Sequence, residues 1–262
     1  MSVIARFRAL PDKDKAALIR KLVQNGTPDF DYFYLIGLST LMATLGLLLD
    51  SSSIVIGSML IAPLMYPILG VSLGLVMMNN NIKLVQRALS TLLKSLGAGL
   101  LLSVVAAALF GTSDPGMFTT AEVMARTEPH FLHLIVAVVA GAAVAYMLAR
   151  PEWNDALPGV AIAVALVPPL ATVGVGIAAL DMTIIAGAAM ILILNLFGII
   201  LTAMLIFQLM NLSEKEHIAE STVKREEEKL EEENKVIAEV TEQITEQKTM
   251  EKRVIKEDIT AS

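Results

Sequence analysis

The chain contains no cysteine among its 262 residues. Disulfide staples and thiolate metal sites are therefore excluded. Aromatic residues make up only 5% of the sequence, with a single Trp, and histidine occurs 3 times. A further scarcity is positional. Lys, Arg, Asp and Glu are missing from the apolar interiors of the hydrophobic runs, and the lone acids Asp50, Asp155 and Asp181 stand at run ends. A proton-coupled carrier built on a buried carboxylate is disfavoured by that gap. No HExxH helix, buried aspartate pair or serine with a basic partner occurs in the runs, which disfavours an intramembrane protease. No glycine-rich phosphate loop suggests an ATP-driven pump. The net charge of −6 comes mainly from the tail and does not suit a nucleic-acid binder. The expectation is a chain that is not an enzyme and carries no cofactor or metal.

What is present is apolar, at 55% of all residues. Six runs, at 32–49, 53–78, 92–110, 131–149, 157–180 and 183–210, are long enough to cross the hydrocarbon core, with tilt where they exceed it. The predicted class is all-α: a polytopic membrane protein with the lipid bilayer as its first partner. Residues 1–30 lack the apolar core and cleavage site of a secretory signal, so the first span is expected to be retained. Arg6, Arg8, Lys13, Lys15, Arg20 and Lys21 precede the first span, Lys83, Arg87 and Lys94 follow the second, and Arg150 follows the fourth; the other side holds only Arg126. By the positive-inside rule both termini face the cytoplasm, in the cell membrane. Phe30, Tyr32, Phe33 and Tyr34, with Trp153, fit an aromatic belt and are read as anchors.

Two of the runs carry paired prolines in their middles: GSMLIAPLMYPILG from Gly57, and GVAIAVALVPPLATVGVG from Gly159. A shift of 106 positions lays Ile56 on Ile162, Leu60 on Leu166, Pro63 on Pro169, Leu64 on Leu170 and Gly70 on Gly176. Each is the middle member of three spans, so two halves, about 31–110 and 131–210, would lie inverted in the membrane with a broken helix in each. Pro63, Pro67, Pro168 and Pro169 are expected to free carbonyls around 59–63 and 164–165. Freed carbonyls suit cations, whereas half-helix N-termini beyond the breaks suit anions, and the sequence does not choose between them. Structural kinks that bind nothing are the competing reading.

The strings GLLLDSSSIVIGSMLIAPLMYPILG and LPGVAIAVALVPPLATVG resemble the uncharacterised hydrophobic-domain family of prokaryotic membrane proteins, domain of unknown function 389. The resemblance covers roughly residues 30–210. It implies a membrane fold and brings no activity, cofactor or substrate with it. The first 30 residues and the charged tail lie outside it.

Polar candidates within the spans are few. Asp50, Ser51, Ser52 and Ser53 sit where the first span turns into the second, and Asp155 precedes the fifth. N-capping is their ordinary role, and marking the two mouths of a path is the alternative. Tyr66 and Thr172 flank the proline pairs, and Asn195 is the one amide deep in a span, placed to bond another helix or to line a pore. His130 and His133 are spaced for a metal or a proton switch, but no carboxylate or thiolate partner lies nearby. Small residues recur every four positions at Ser95, Gly99, Ser103, Ala107 and Gly111, and at Ala137, Gly141, Ala145 and Ala149. Such stripes serve helix contacts, within one chain or between subunits.

Residues 211–262 are charged and free of Gly and Pro, and predict a long cytoplasmic helix. Val223, Leu230, Ile237 and Ile244 repeat at seven, with Val240 and Val254 as partial second positions, which suits a thin coiled coil or else a solvated single helix. Residues 1–30 look amphipathic and would lie on the inner leaflet or on the tail. Together these features point to a homo-oligomeric channel or facilitator for a small ion or solute, its path formed by the broken spans. The alternative is a non-transporting scaffold whose cytoplasmic helix recruits a partner.

Overall fold

Backbone groups in lipid find no water, so long apolar runs fold as helices. The computed structural model, which describes residues 11–26, 28–77, 82–111, 115–149 and 156–261, contains only helices and short turns among the described residues. In chain order they are α1 (Asp12–Gln24), α2 (Phe30–Leu48), α3 (Ser52–Met59), α4 (Met65–Val76), α5 (Ile82–Phe110), α6 (Ala121–Met124), α7 (Phe131–Leu148), α8 (Ala156–Ala179), α9 (Met182–Leu209) and α10 (Glu216–Ala261). Five of them, α2, α5, α7, α8 and α9, hold apolar stretches long enough to cross a bilayer. The chain is a multi-pass, all-helical membrane protein.

The two proline-bearing runs fold differently. The first is split into α3 and α4, of 8 and 12 residues, by the stretch from Leu60 to Leu64. The second stays helical through Pro168 and Pro169, so the expected second break is replaced by a continuous α8. Spacing accounts for the difference. Pro63 and Pro67 strike two successive turns, and Pro67 lies in the first turn of α4, where a missing N–H costs nothing. Pro168 and Pro169 strike a single turn, and a neighbouring helix supplies a donor there, as described below.

Small residues draw the helices together within the chain. A Cβ on Gly99 would lie 2.8 Å from Thr40 Cγ2, and one on Gly141 would lie 3.0 Å from the Ile199 backbone. Thus α5 packs on α2 and α7 packs on α9, which assigns both predicted stripes to contacts inside one protomer. Tyr32, expected in the aromatic belt, is buried instead, its hydroxyl 2.8 Å from Ser95 Oγ. Phe30 and Tyr34 do stand exposed, stacked with ring centroids 6.0 Å apart. Thr44 Oγ1 lies 2.8 Å from Ser103 Oγ, which donates to the Ala171 carbonyl at 2.9 Å, joining α2, α5 and α8.

At the end of the bundle that holds the start of α2, α1 covers the first turns of α10. Leu18, Ile19 and Leu22 are buried in the same core as Ala219 and Val223, and Lys215 Nζ pairs with Asp12 Oδ2 at 3.0 Å. Arg87 of α5 donates to the Val223 carbonyl at 3.0 Å. Of the predicted heptad positions, Val223 is therefore used inside the chain, Leu230 is half-buried and Ile237 is exposed. Burying a carboxylate at Ile19 removes this seat. Ile19→Asp is expected to open residues 211–226 to protease while the helices of the membrane core stay resistant, read by limited proteolysis.

Candidate functional site

The positioning starts at the turn between α2 and α3. Asp50 adopts the left-handed conformation with φ 51°, and the Ser51 N–H reaches back to the Gly46 carbonyl at 2.9 Å. This turn aims Asp50 Oδ1 at α6, where it accepts the Glu122 N–H at 2.9 Å. Thr120 Oγ1 donates to the Leu47 carbonyl at 2.7 Å, and the Ser52 hydroxyl donates to the Glu122 carboxylate. The capping expected of Asp50 is thus real, but it serves α6 rather than the helix that follows it. Ser53 is exposed on the first turn of α3.

Glu122 is held in turn by Arg126, whose Nη1 lies 2.7 Å from Oε2. The Ser52 hydroxyl depresses the Glu122 pKa most, partial burial opposes it, and Arg126 lowers it further. Because the folded-state value is the lower one, the carboxylate's contribution is complete above its unfolded value of about 4.3 and fades as pH falls through the folded value. A fluorophore on Thr119→Cys, unique in a cysteine-free chain, is expected to report release of α6 on acidification below about pH 4.3. Glu122→Gln is expected to flatten that transition.

Below α6 lies a cleft of about 310 Å³ lined by residues of α6 to α9, among them Glu122, Arg126, His133, Val164, Pro169 and Asn195. Its base is built by the proline pair. In a helix the N–H of residue 169 would serve the Ala165 carbonyl, and proline has none. The Asn195 amide of α9 takes that place, donating from Nδ2 to the Ala165 oxygen at 2.7 Å. Asn195 is 5% exposed, and its Oδ1 is buried without a partner. Val164 carries the other carbonyl released by the pair, four residues before Pro168. Thr172, fully buried, donates to the Pro168 carbonyl at 2.9 Å and so closes the next turn within its own helix.

His130 and His133 are occupied with the start of α7. Nδ1 of His130 accepts the Leu132 N–H at 3.2 Å, and Nδ1 of His133 accepts the His130 N–H at 3.1 Å. Their spacing is that of a capping pair, and among the described residues no group of three or more metal-ligating side chains gathers. His133 nonetheless lines the cleft.

Most of the candidates chosen from sequence thus fall into two groups. Pro169 and Asn195 line the cleft, Asp50 and Ser52 hold Glu122 at its rim, and Pro168 and Thr172 lie in the adjoining turns of α8. Tyr66 and Pro67 line a smaller hollow of about 20 Å³, room for a water, together with Leu22, Gly26 and Arg87. Pro63 is half-buried in the link before α4. Asp155, like Arg150 and Trp153, lies outside the described residues. Glu122 and Arg126 were missed as site residues because both sit in a short segment between spans, and their only sequence signal was that Arg126 is the one cation on its side.

Residues 59–201 match the family described as domain of unknown function DUF389. That stretch runs from the end of α3 into α9 and includes both proline pairs and Asn195. An uncharacterized protein of Methanocaldococcus jannaschii is 31% identical over 176 residues, which cover 67% of this chain and 53% of the relative. The chain therefore spans about half the length of the curated relative it matches. No solved structure matches it. With more than half of its length inside the matched domain, the chain belongs to the DUF389 family of proteins of unknown function.

Proposed function

We propose that this protein provides a path for a small ion or solute through the membrane, formed by the proline-bearing segments α3–α4 and α8. One observation carries the reading: a cleft of about 310 Å³ is lined by Val164, Ala165 and Pro169 at the proline pair of α8, together with the charged pair of Glu122 and Arg126. Backbone without its helical partner is tolerated at membrane depth where it is enclosed by protein or lines a wet cavity. Polar groups in a span are costly and mark function by default.

The packing supports an inverted arrangement of two halves. Within the first, α2 and α5 run parallel with Tyr32 beside Ser95 and Thr44 beside Ser103, offsets of 63 and 59. Within the second, Gly141 meets Ile199 and Gly198 meets Ala137, offsets of 58 and 61. Each central segment packs on both halves, α8 on α7 and α9 and also on α2 and α5, and α4 on α5 and also on α9. Central helices shared between inverted halves suit a pathway. The N- and C-terminal segments are assigned to the cytoplasm, and the exposed Val236, Ile237 and Val240 of α10 to pairing between copies of the chain. No catalytic role is proposed.

Flux tests the reading. Purified protein in liposomes, under an imposed potential and with anion, cation and neutral solutes run in parallel, is expected to conduct at least one of them. Folded protein that passes none would leave the scaffold reading in its place.

A further inference from the structure

We infer that the cleft between α6 and α9 is a binding site for a small monovalent cation that enters with part of its hydration shell. As a substrate assignment this rests on the path proposed above; as a binding site it stands without it.

The argument begins with what the continuity of α8 removes. A helix broken at the proline pair would end and restart, offering both freed carbonyls and a fresh N-terminus with free N–H groups. Because α8 runs through Pro168 and Pro169, the amides beyond them stay within the helix. The carbonyls of Val164 and Ala165 still lose their helical donors, since proline supplies no N–H, and the Asn195 amide replaces the one at Ala165. The backbone at the proline pair keeps its acceptors and offers none of the free N–H groups of a helix start.

The side chains add to the same side of the balance. Asn195 spends its Nδ2 on the Ala165 carbonyl and is left with Oδ1, buried and unpartnered. An amide oxygen in this position is expected to have a donor or a cation. Glu122 adds a carboxylate at the rim, and Arg126, the one guanidinium among the described residues of the lining, is bound to it at 2.7 Å. Nδ1 of His133 lies 3.1 Å from both the backbone nitrogen and the carbonyl oxygen of His130, and is occupied with the start of α7. The residues lining the cleft thus bring it the Val164 carbonyl, the Ala165 carbonyl with one lone pair already used by Asn195, the Asn195 amide oxygen and a Glu122 carboxylate balanced by Arg126.

Charge and volume then select the class. Divalent cations favour carboxylates in the coordination shell, and among the described residues the one carboxylate lining the cleft is already paired with Arg126. A monovalent ion is satisfied by carbonyl and amide dipoles. On the measure by which about 10–15 Å³ holds one water, a cleft of about 310 Å³ has room for many waters, far more than a bare ion. An alkali ion with attached water and a small organic ammonium share this chemistry, and the experiment separates them.

The test is the thermal unfolding midpoint of the purified full chain in detergent. Lithium, sodium, potassium, rubidium and methylammonium chlorides are titrated at constant ionic strength against N-methylglucamine chloride. A saturable rise with at least one cation of the series is expected, and its identity distinguishes alkali ion from ammonium. Pro169→Ala returns an N–H to the Ala165 carbonyl without disturbing a helix, and is expected to weaken the apparent affinity about tenfold. Asn195→Asp places a carboxylate against that carbonyl, and is expected to tighten the affinity about tenfold and to be rescued by the same cation. A midpoint that ignores the cation, that follows the anion when chloride is exchanged for nitrate, or that responds alike in wild type and both variants overturns the inference. Binding without flux in liposomes would refute the path and leave the site. Flux of anions or neutral solutes without cation binding would do the reverse.

Discussion

Replacing Asn195 with Leu is expected to destabilise the protein by about 1–3 kcal/mol, the cost of leaving a buried polar group without its partner. The size of the effect follows from where the lost donor pointed. Hydrogen bonds between membrane helices are worth on average only about 0.6 kcal/mol, because the unpaired groups usually find other partners. The Ala165 carbonyl has no such recourse: residue 169 is proline, and Asn195 Nδ2 at 2.7 Å stands in for the missing N–H. Its own helix can provide a donor only if the proline is removed. In a Pro169→Ala background the cost of Asn195→Leu is accordingly expected to fall below about 1 kcal/mol, giving a coupling energy between the two sites. Unfolding in detergent for the wild type, both single variants and the double variant measures it. Strict additivity of the two changes would show that the amide does not act on this carbonyl.

A methyl group on Gly174 is expected to do comparable damage by a different route. The added Cβ would overlap the Ser103 hydroxyl and lie 2.5 Å from Ser103 Cβ, closer than carbon atoms approach. Helix α5 must then back away from α8. Overpacking of this kind costs about 1–3 kcal/mol. The same shift carries Ser103 Oγ away from the Ala171 carbonyl, 2.9 Å distant, and from Thr44 Oγ1, 2.8 Å distant, adding about 1 kcal/mol for the main bond lost. Gly174→Ala is therefore expected to lower the unfolding midpoint substantially, and Ser103→Gly in the same chain to restore the spacing while forgoing the hydroxyl bonds. Recovery of the larger, steric part in the double variant and not the smaller, hydrogen-bonded part is the expected pattern. A double variant as unstable as Gly174→Ala alone would locate the strain elsewhere.

Much of the fold was legible because it is written locally. Apolar length predicted five helices that are present, and Asp29 and Asp181 cap α2 and α9 as acids at helix starts do. The four-residue stripes through Gly99 and Gly141 marked helix contacts, though only the packed chain shows both to be internal. The proline pairs were legible as places where carbonyls lose their partners. Whether a helix breaks there was not, since that depends on a donor 30 residues away in sequence, the Asn195 amide. For the same reason Asp50 read as a cap for its own helix, whereas the left-handed turn presents it to Glu122, 72 residues on. Tyr32 read as an interfacial anchor because composition cannot reveal that Ser95 waits opposite it. Contacts across such distances are set by the packing of whole helices, and a single sequence does not record them.

The grip of Arg87 on α10 has a mechanical consequence. A helix of 46 residues at 1.5 Å per residue is about 69 Å long. It is held near one end by α1 and, through the Val223 carbonyl and Glu227, by the opening turns of α5. Such an arrangement is a lever with its fulcrum at the edge of the membrane domain. With about 57 Å of helix beyond Val223, a one-degree tilt of the seat sweeps the far tip through about 1 Å, and a ten-degree rocking of α5 through about 10 Å. Small rearrangements among the spans would thereby be displayed, magnified, at the far tip of α10.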